Sequence, residues 1–566
     1  MRYIEGLSRS QIVLFPESLE DLVSEDNPVR VIDAFVDQLD LGKLGFTKIY
    51  ISAASPGAPS YSPHCLLKLY IFGCFKKVRS SRKLMEFCRT NVEAMWLLGR
   101  LTPDFRTISD FRKDNAKAIK KVFKAFVKIC IEMSLYSAEL GVQDGSKFRA
   151  QNSKDNNLTE SKLKKKIEIA EERINKYLDE MEKNDSEESD PQKYTKAEIE
   201  EKIAGLRERK EQYNKLIEEM KEDGVTQISL IDPDARLMKT ANGGFDVCYN
   251  VQTFVDPASH MIGDFDVTNN CNDMGLLSDM ASQVKEDMGV SVLGVVADKG
   301  YEDKADMLEC LLNGTVPNVP SKSGEESYSF DIGYKEAAIT EEMLDSTRPE
   351  DIKTCLEAGV VPNAYAGKGV EASVVEVETS EPNGEDDQFA FRLNEDGESV
   401  TCPNGSALNK VAVLENKGKT RFASRSACRK CQEKCTQSSH KQVDLKDGQT
   451  VLYGKKVRTV KKVRIKLTPD KEKIRYRKCV VEHPFGTIKR WNDGAYTLLT
   501  GKEKVGADMA LLFLQYNIKR AISMVGVWEL IKKMGGIGAI FRGYYHGFSK
   551  TFGILHLNSS VSFDFA

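Results

Sequence analysis

Three acidic residues, far apart in the chain, stand where a carboxylate is costly without a partner. The stretch Ser291 to Asp306, SVLGVVADKGYEDKAD, reads as an apolar strand over Val292 to Ala297 that runs into Asp298, turns at Lys299 and Gly300, and opens a helix after Tyr301. A second strand-like run, Leu140 to Gln143, ends in Asp144, followed by Gly145, Ser146 and Lys147. Far downstream, KCVVEHPFGTIKRW (Lys478 to Trp491) supplies Glu482 inside a basic segment. A carboxylate at the mouth of a buried strand is a metal ligand, a cap or half of an ion pair. Each acid alone reads as a cap or surface charge. Together they make a set of three hard-oxygen ligands of the kind that can hold divalent cations such as Mg2+ (or Mn2+).

A second group of ligand-type residues lies between them. Cys402-Pro-Asn-Gly is followed by Cys428-Arg-Lys-Cys431-Gln-Glu-Lys-Cys435, a spacing that can close a tetrahedral structural Zn2+ site with Zn–S bonds of about 2.3 Å. The bland alternative is reduced thiols on a loop, and His440 is a spare ligand. The other nine of the 13 cysteines are scattered, often beside apolar residues, as small core residues would be.

The 566 residues, 41% apolar and 30% charged, allow two to four domains. No run of about 18 apolar residues occurs, and Met1 to Pro28 lacks the pattern of a signal peptide, so a cytoplasmic protein is expected. The net charge of −3 conceals segregation: Lys455 to Trp491 holds fourteen Lys or Arg against three acids, whereas Glu371 to Glu398 is acidic. A basic run of this kind suits a nucleic-acid backbone.

These residues need elements to position them. Residues 1–136 read as helical, with Thr107 to Met133 the longest amphipathic helix: Ile108, Phe111, Ile119, Val122, Phe126 and Ile129 line one side, and Lys113, Lys117, Lys120, Lys121, Lys124 and Lys128 much of the other. That lysine face, with Arg79, Arg82 and Lys83 nearby, is either solvated or phosphate-contacting. Residues 137–158 carry a first core strand. Residues 159–224 read as an inserted antiparallel helical hairpin, its second helix opened by a Thr195/Glu198 capping box. Core elements resume over 225–320 as two strands, a helix, the strand to Asp298, a helix and a short strand. A loop-rich insertion with the four cysteines fills 321–470. Residues 471–535 hold the Glu482 helix and covering helices, and 536–566 form a tail. On the helix after Asp298, Asp303 and Asp306 read as acids that tolerate replacement.

ADKGY at Asp298, DGSK at Asp144 and VEHPFGTIKR at Glu482 resemble the three acidic motifs of DDE transposases of bacterial insertion sequences, most closely the insertion-sequence family numbered 1182 within the insertion-sequence 4/5 superfamily. The likeness extends through DPDARLMK (Asp232 to Lys239), YNVQTFVD (Tyr249 to Asp256), the cysteine segment and the amino-terminal helices. It implies an α/β RNase H-like core, with an all-α amino-terminal domain that recognises DNA ends and with the hairpin and cysteine segment as insertions. Asp144 and Asp298 are then neighbours in the sheet, Asp144 bridging two metal ions flanked by Asp298 and Glu482. It also implies double-stranded DNA partners, both terminal inverted repeats and target, and a homodimer on paired ends. Residues read as holding DNA are Lys489, Arg490, Lys478, Arg477, Lys299, Lys147, Lys113, Lys117 and Lys121. In such enzymes a Tyr, an Arg, the Glu and a Lys recur along the last catalytic helix. Glu482 and Lys489 match, but Arg475 and Lys478 stand at the Tyr and Arg places, with Tyr476 and Arg477 one position off. Two other functions fit the same residues: a non-catalytic DNA-binding descendant, and an RNase H-like nuclease that cuts without joining.

Overall fold

The computed structural model describes residues 18–49, 60–186, 195–222, 224–240, 243–382, 390–414, 418–432, 435–436, 438–446, 448–453 and 455–535. The hairpin turn, the tail after 535 and the side chains of Lys455, Lys456 and Arg458 lie outside the described residues. The chain divides into one unit formed by residues 1–324 and 469–566 and a second formed by 325–468.

The first unit opens with helices α1 (Val29–Asp37), α2 (Leu41–Leu44), α3 (Pro63–Phe75), α4 (Ser81–Thr90), α5 (Val92–Leu98), α6 (Phe105–Asp114) and α7 (Ala116–Glu132). The single long helix expected over 107–133 is two, because Asn115 leaves helical geometry at φ −115° and ψ 27°. Its amide donates back to the Phe111 carbonyl at 2.8 Å, and its Oδ1 accepts from the Thr47 amide at 2.8 Å. An Asn side chain competing for backbone groups is a common way to break a helix. The predicted apolar stripe is otherwise buried.

The core sheet is built from β1 (Leu140–Arg149), β4 (Arg236–Lys239), β5 (Phe245–Val255), β6 (Ile262–Thr268), β7 (Leu293–Val296) and β8 (Thr315–Asn318), with β2 (Asn157–Thr159) and β3 (Gln227–Ser229) forming a small separate pair. Its order is β4-β5-β1-β7-β8, with β6 also paired to β5. β1, β5 and β6 run antiparallel in succession, whereas β7 and β8 run parallel to β1. Parallel pairing needs crossovers; α10 (Ser278–Met288) precedes β7 and α11 (Lys304–Leu312) links β7 to β8. Close packing is enforced at Gly141, where a Cβ would fall 1.8 Å from the Phe254 ring.

Between β2 and β3 the chain makes the expected hairpin of α8 (Glu160–Ser186) and α9 (Lys196–Glu222). The Thr195 amide donates to Glu198 at 2.9 Å and the Glu198 amide to Thr195 Oγ1 at 3.4 Å, completing the capping box. After the second unit, α15 (Lys471–Gly486) packs on β1 and β7, and α16 (Lys502–Val525) packs against α3, α7 and β6. In α16, Asn517 bonds both backbone groups of Ile262, and Arg520 and Tyr516 bond the carbonyls of Ser259 and His260.

The second unit is richer in strands than the expected loops. β9 (Tyr328–Gly333), β10 (Val370–Pro382) and β17 (Lys455–Leu467) form one sheet; α12 (Glu341–Asp345) and α13 (Pro349–Glu357) lie between its first two strands. β11 (Ala390–Leu393), β12 (Ser399–Thr401), β13 (Ala407–Leu414), β14 (Lys419–Ala423), β15 (Gln442–Lys446) and β16 (Val451–Tyr453) form the other, with α14 (Arg425–Lys430) beside it. The acidic stretch at Glu371 and the basic stretch at Lys461 are facing strands, Glu376 standing opposite Lys461. Charges that are segregated along the chain alternate across a ladder, where opposite signs attract.

The amino-terminal helices are fastened to α16 by a buried charge cluster. Asp508 takes Arg79 at 2.8 Å and Arg112 at 3.3 Å, and Arg79 also donates to the carbonyls of Asp493 and Tyr496. Arg79 is therefore a core residue and lies on no DNA-facing surface. Removing one member of such a cluster leaves buried charge unpaired, typically at a cost of about 3 to 5 kcal/mol. Asp508→Ala is expected to lower the unfolding free energy by that much, and the urea midpoint with it, while Lys117→Ala at the surface leaves both nearly unchanged; equilibrium unfolding compares the two.

Candidate active site

The parallel pairing of β1 with β7 brings two distant acids to one place. Leu140 pairs with Gly294, Gly141 with Val295 and Val142 with Val296, and two residues further the same register sets Asp144 level with Asp298. β1 does not stop at Asp144 but runs on to Arg149, so Asp144 sits within a strand while Asp298 lies two residues past the end of β7. Asp298 caps a short 3-10 turn, Lys299–Tyr301, through the Gly300 amide at 2.7 Å.

Alternation along β1 sorts its side chains. Asp144, Ser146 and Phe148 face α15: Arg477 approaches Asp144 at 3.3 Å, Lys489 donates to Ser146 Oγ at 2.6 Å, and Phe485 packs on Phe148. Gln143, Gly145 and Lys147 face the segment before α10, where Gln143 donates to the Leu276 carbonyl. Asp144 keeps 23% side-chain exposure, and burial pushes its carboxyl up to about 6; Arg477 opposes this, and Asp298 and Asp273 add to it. Burial also pushes the Lys489 ammonium down to about 8, with Lys147 acting the same way and Cys248 and Asp144 opposing. Lys489 further donates to the Lys147 carbonyl at 2.7 Å and lies over the Phe148 ring.

The remaining residues are distributed less tightly. Glu482 is exposed, five residues beyond Arg477, which is about 140° around a helix; it faces a different side of α15 from the one on Asp144. The helix starts at Asp470 and passes through Pro484 before widening into a π turn at Thr487–Trp491. Arg477 is the basic residue of this helix that meets Asp144, whereas Lys478, Arg490 and Lys299 are exposed. Lys113, Lys117 and Lys121 are exposed on α6 and α7, Lys117 pairing with Glu503 at 3.4 Å. Lys120 and Lys124 are tied to Asp266, Asp264 and Asp287, so this part of the lysine face is an internal contact. Asp303 caps α11, and Asp306 is buried, accepting from the Leu277 and Ser278 amides at 2.9 and 3.1 Å. Asp306 is thus a structural cap that replacement would damage, unlike the tolerant acid expected.

One acid was not foreseen. Asp273 Oδ1 accepts from Asn250 at 2.7 Å and Gln252 at 2.8 Å, and Lys147 lies 3.5 Å away. The signal for it was in β5: Asn250 and Gln252 are polar residues two apart in a strand that is largely buried, and such a pair must find partners. For a divalent cation the donors have the right chemistry, hard carboxylate oxygens on adjacent strands. The absent Cβ of Gly300 also leaves a space 2.8 Å from Asp298 Oδ1 and 3.8 Å from Asp273 Oδ2. Among the described residues no three His, Cys, Asp or Glu side chains converge closely enough to enclose an ion.

In the second unit, Cys402, Cys428 and Cys435 pack on one apolar cluster that includes Phe391, Phe422 and Val443. The Lys441 amide points at Cys428 Sγ at 3.4 Å, and Asn404 donates to Cys431 Sγ at 3.0 Å. Burial raises the Cys435 thiol; Lys441 opposes, and Cys428 and Cys402 add to the rise. His440 is engaged with Ser439 and Gln442.

The chain is mixed α/β, and in comparison with known families residues 17–114 match the model of a transposase domain (DUF772) and residues 401–522 match that of a transposase DDE domain. Together these matches support a DDE transposase, a class of DNA-cutting enzyme. No curated protein and no solved structure matches the chain. No helix among the described residues is long and apolar enough to cross a membrane.

The raised carboxyl of Asp144 makes a stability prediction. A group whose folded pKa exceeds its unfolded value stabilises fully below the unfolded value and loses that contribution as pH rises through the folded one. In chelator, Asp144→Asn is therefore expected to match wild type near pH 4 and to exceed it above pH 6, by on the order of 2 kcal/mol. Urea unfolding across that range checks it; a pH-independent difference would count against the crowding of Asp144.

Proposed function

We propose that the chain is a DDE transposase of the kind resembled by the insertion-sequence family numbered 1182, which binds the ends of its element, cleaves phosphodiester bonds there and joins the 3′ ends to target DNA. The observation that carries this reading is the β1–β7 register, which sets Asp144 beside Asp298 across 154 residues. The strand order, with three antiparallel strands followed by two parallel ones, supports an RNase H-like core. Asp144 and Asp298 would hold Mg2+ or Mn2+, with Glu482 completing the set once α15 turns about its axis to bring that side chain toward β1. Two such ions, when bound, supply an activated hydroxyl and stabilise charge on the phosphate.

The chain's own groups account for the rest. Arg477 neutralises Asp144 in the described geometry and is free to turn to a phosphate once the carboxylate has another cation. Lys489, fixed by Ser146 and the Lys147 carbonyl, sets positive charge beside the strand acids. Lys478, Arg490 and Lys299 present exposed cations for the backbone, and Lys113, Lys117 and Lys121 do so on the amino-terminal helices, to which end recognition is assigned. The four cysteines are proposed to hold one structural Zn2+. Four sulfurs are a suitable donor set, and the amide aimed at Cys428 Sγ is a contact that favours thiolate. We further infer action in the cytoplasm as a homodimer on paired ends.

Single alanine replacements of Asp144, Asp298 and Glu482 test the reading in assays of end cleavage and strand joining on element-end DNA. Each is expected to remove both activities by orders of magnitude, with the Asp144/Asp298 double variant no worse than either single, because groups acting as a unit fail together. DNA binding is expected to survive. Near-normal cleavage by Asp144→Ala or Glu482→Ala would overturn the assignment; cleavage without joining by wild type would favour a nuclease.

The zinc proposal is checked by metal analysis of purified protein. About one equivalent is expected in wild type and a large loss in a Cys428→Ser, Cys431→Ser variant; equal content in both would remove zinc from the description.

A further inference from the structure

Asp273 stands on the face of β1 opposite the one that carries Asp144. It belongs to the segment between β6 and α10, and its Oδ1 gathers the side-chain amides of Asn250 and Gln252 at 2.7 and 2.8 Å. Those two residues pair across the ladder with Lys147 and Gly145, and Lys147 lies 3.5 Å from the same oxygen. Gly145 makes this approach possible, since a Cβ there would stand 2.6 Å from Asp273 Oδ1 and 2.3 Å from Gln252 Nε2. The carboxylate thus rests against the backbone of β1 one residue past Asp144.

The same side chains reach the other acid. Gln252 accepts from the hydroxyl of buried Tyr301, and Tyr301 closes the 3-10 turn that Asp298 caps. Asp273 Oδ2 lies 3.8 Å from where a Gly300 Cβ would be, the point that is 2.8 Å from Asp298 Oδ1. One carboxylate is therefore braced on two sides, by β1 at Gly145 and by the Asp298 turn through Gln252 and Tyr301.

We propose that Asp273 is a positioning residue that sets the separation of Asp144 and Asp298, acting through Gly145 and Lys147 on one side and through Gln252 and Tyr301 on the other. The inference rests on the proposed two-acid metal site but concerns a residue outside the motifs that define it. Asp144 lies in β1 and Asp298 just beyond β7, and the direct pairing of these two strands ends two residues short of both acids. Beyond the last ladder bond, backbone alone does not hold the gap between two like charges. A bridge from behind does, without placing any group on the face where DNA would lie. The bridge is also insulated, because Tyr301, Asn250 and Gln252 are buried and hydrogen bonds among buried groups are costly to rearrange.

Two readouts on the full-length protein test this. Hydrogen–deuterium exchange in chelator is read for peptides covering residues 144–147 and 298–301, and Mn2+ affinity is read by electron paramagnetic resonance. Asp273→Ala is expected to speed exchange in both peptides and to weaken Mn2+ binding by about tenfold or more, the usual size for loss of a group that orients ligands. Asp273→Asn keeps an oxygen for the two amides and is expected to recover most of both. Gly145→Ala, whose methyl group would displace Asp273 from the other side, is expected to reproduce the Ala phenotype and serves should Asp273→Ala fail to fold. Unchanged exchange in both peptides for Gly145→Ala and Asp273→Ala would overturn the proposal. So would a uniform rise in exchange across the sheet for Gly145→Ala and Asp273→Asn, which marks a merely structural role. Should wild type bind no Mn2+ in an Asp144-dependent way, the metal reading falls, while the exchange comparison still decides the role of Asp273.

Discussion

Two carboxylates held side by side at the end of a parallel strand pair are the constraint on which this structure turns. Like charges at short range in a poorly solvated place repel strongly, and the fold meets that repulsion in several ways. Arg477 neutralises Asp144 from α15. The Gly300 amide takes one oxygen of Asp298. Lys489 is held by Ser146 and the Lys147 carbonyl on the same face of β1, its ammonium pushed down to about 8 by burial.

Much of this was legible in the chain. The strand at Val292 to Ala297, the turn at Lys299 and Gly300 and the helix after Tyr301 all form near their expected places, because an apolar run punctuated by Asp and Gly has few other solutions. The hairpin was legible for a similar reason: a 3.6-residue apolar period and a capping box are local signals. That Asp144 and Asp298 meet was not local, and only the likeness to a known fold made it an expectation. Periodicity cannot report which strands pair.

Where the reading failed, the cause was tertiary. The basic face of α7 looked like a single surface, but Lys120 and Lys124 are spent on acids of β6 and α10, while Arg79 disappears into the Asp508 cluster. A cation seen in sequence carries no mark of whether its partner lies across solvent or across a helix. Residues 321–470 looked like loops because short strands with opposite charges on facing positions show little apolar alternation. Asp273 was passed over because it lies outside the acidic motifs, although its partners Asn250 and Gln252 are polar residues that burial in β5 obliges to find acceptors.

The chain leaves the first unit after residue 324 and re-enters it at residue 469. At the end of β8, Asn318 accepts from the Asp470 amide at 2.8 Å, just where α15 begins, and within the second unit Tyr328 pairs with Leu467 as the chain returns. Once such ends are fastened, the entropy of closing the path between them grows only slowly with its length, by about 0.6 kcal/mol for each doubling. The detour is thus nearly free to lengthen, shorten or change its cargo over evolutionary time, while the helix bearing Arg477 and Glu482 re-enters at the same spot. A cluster such as Asp144, Asp298 and Arg477, drawn from either side of that detour, can in this way tolerate an interior that is rewritten.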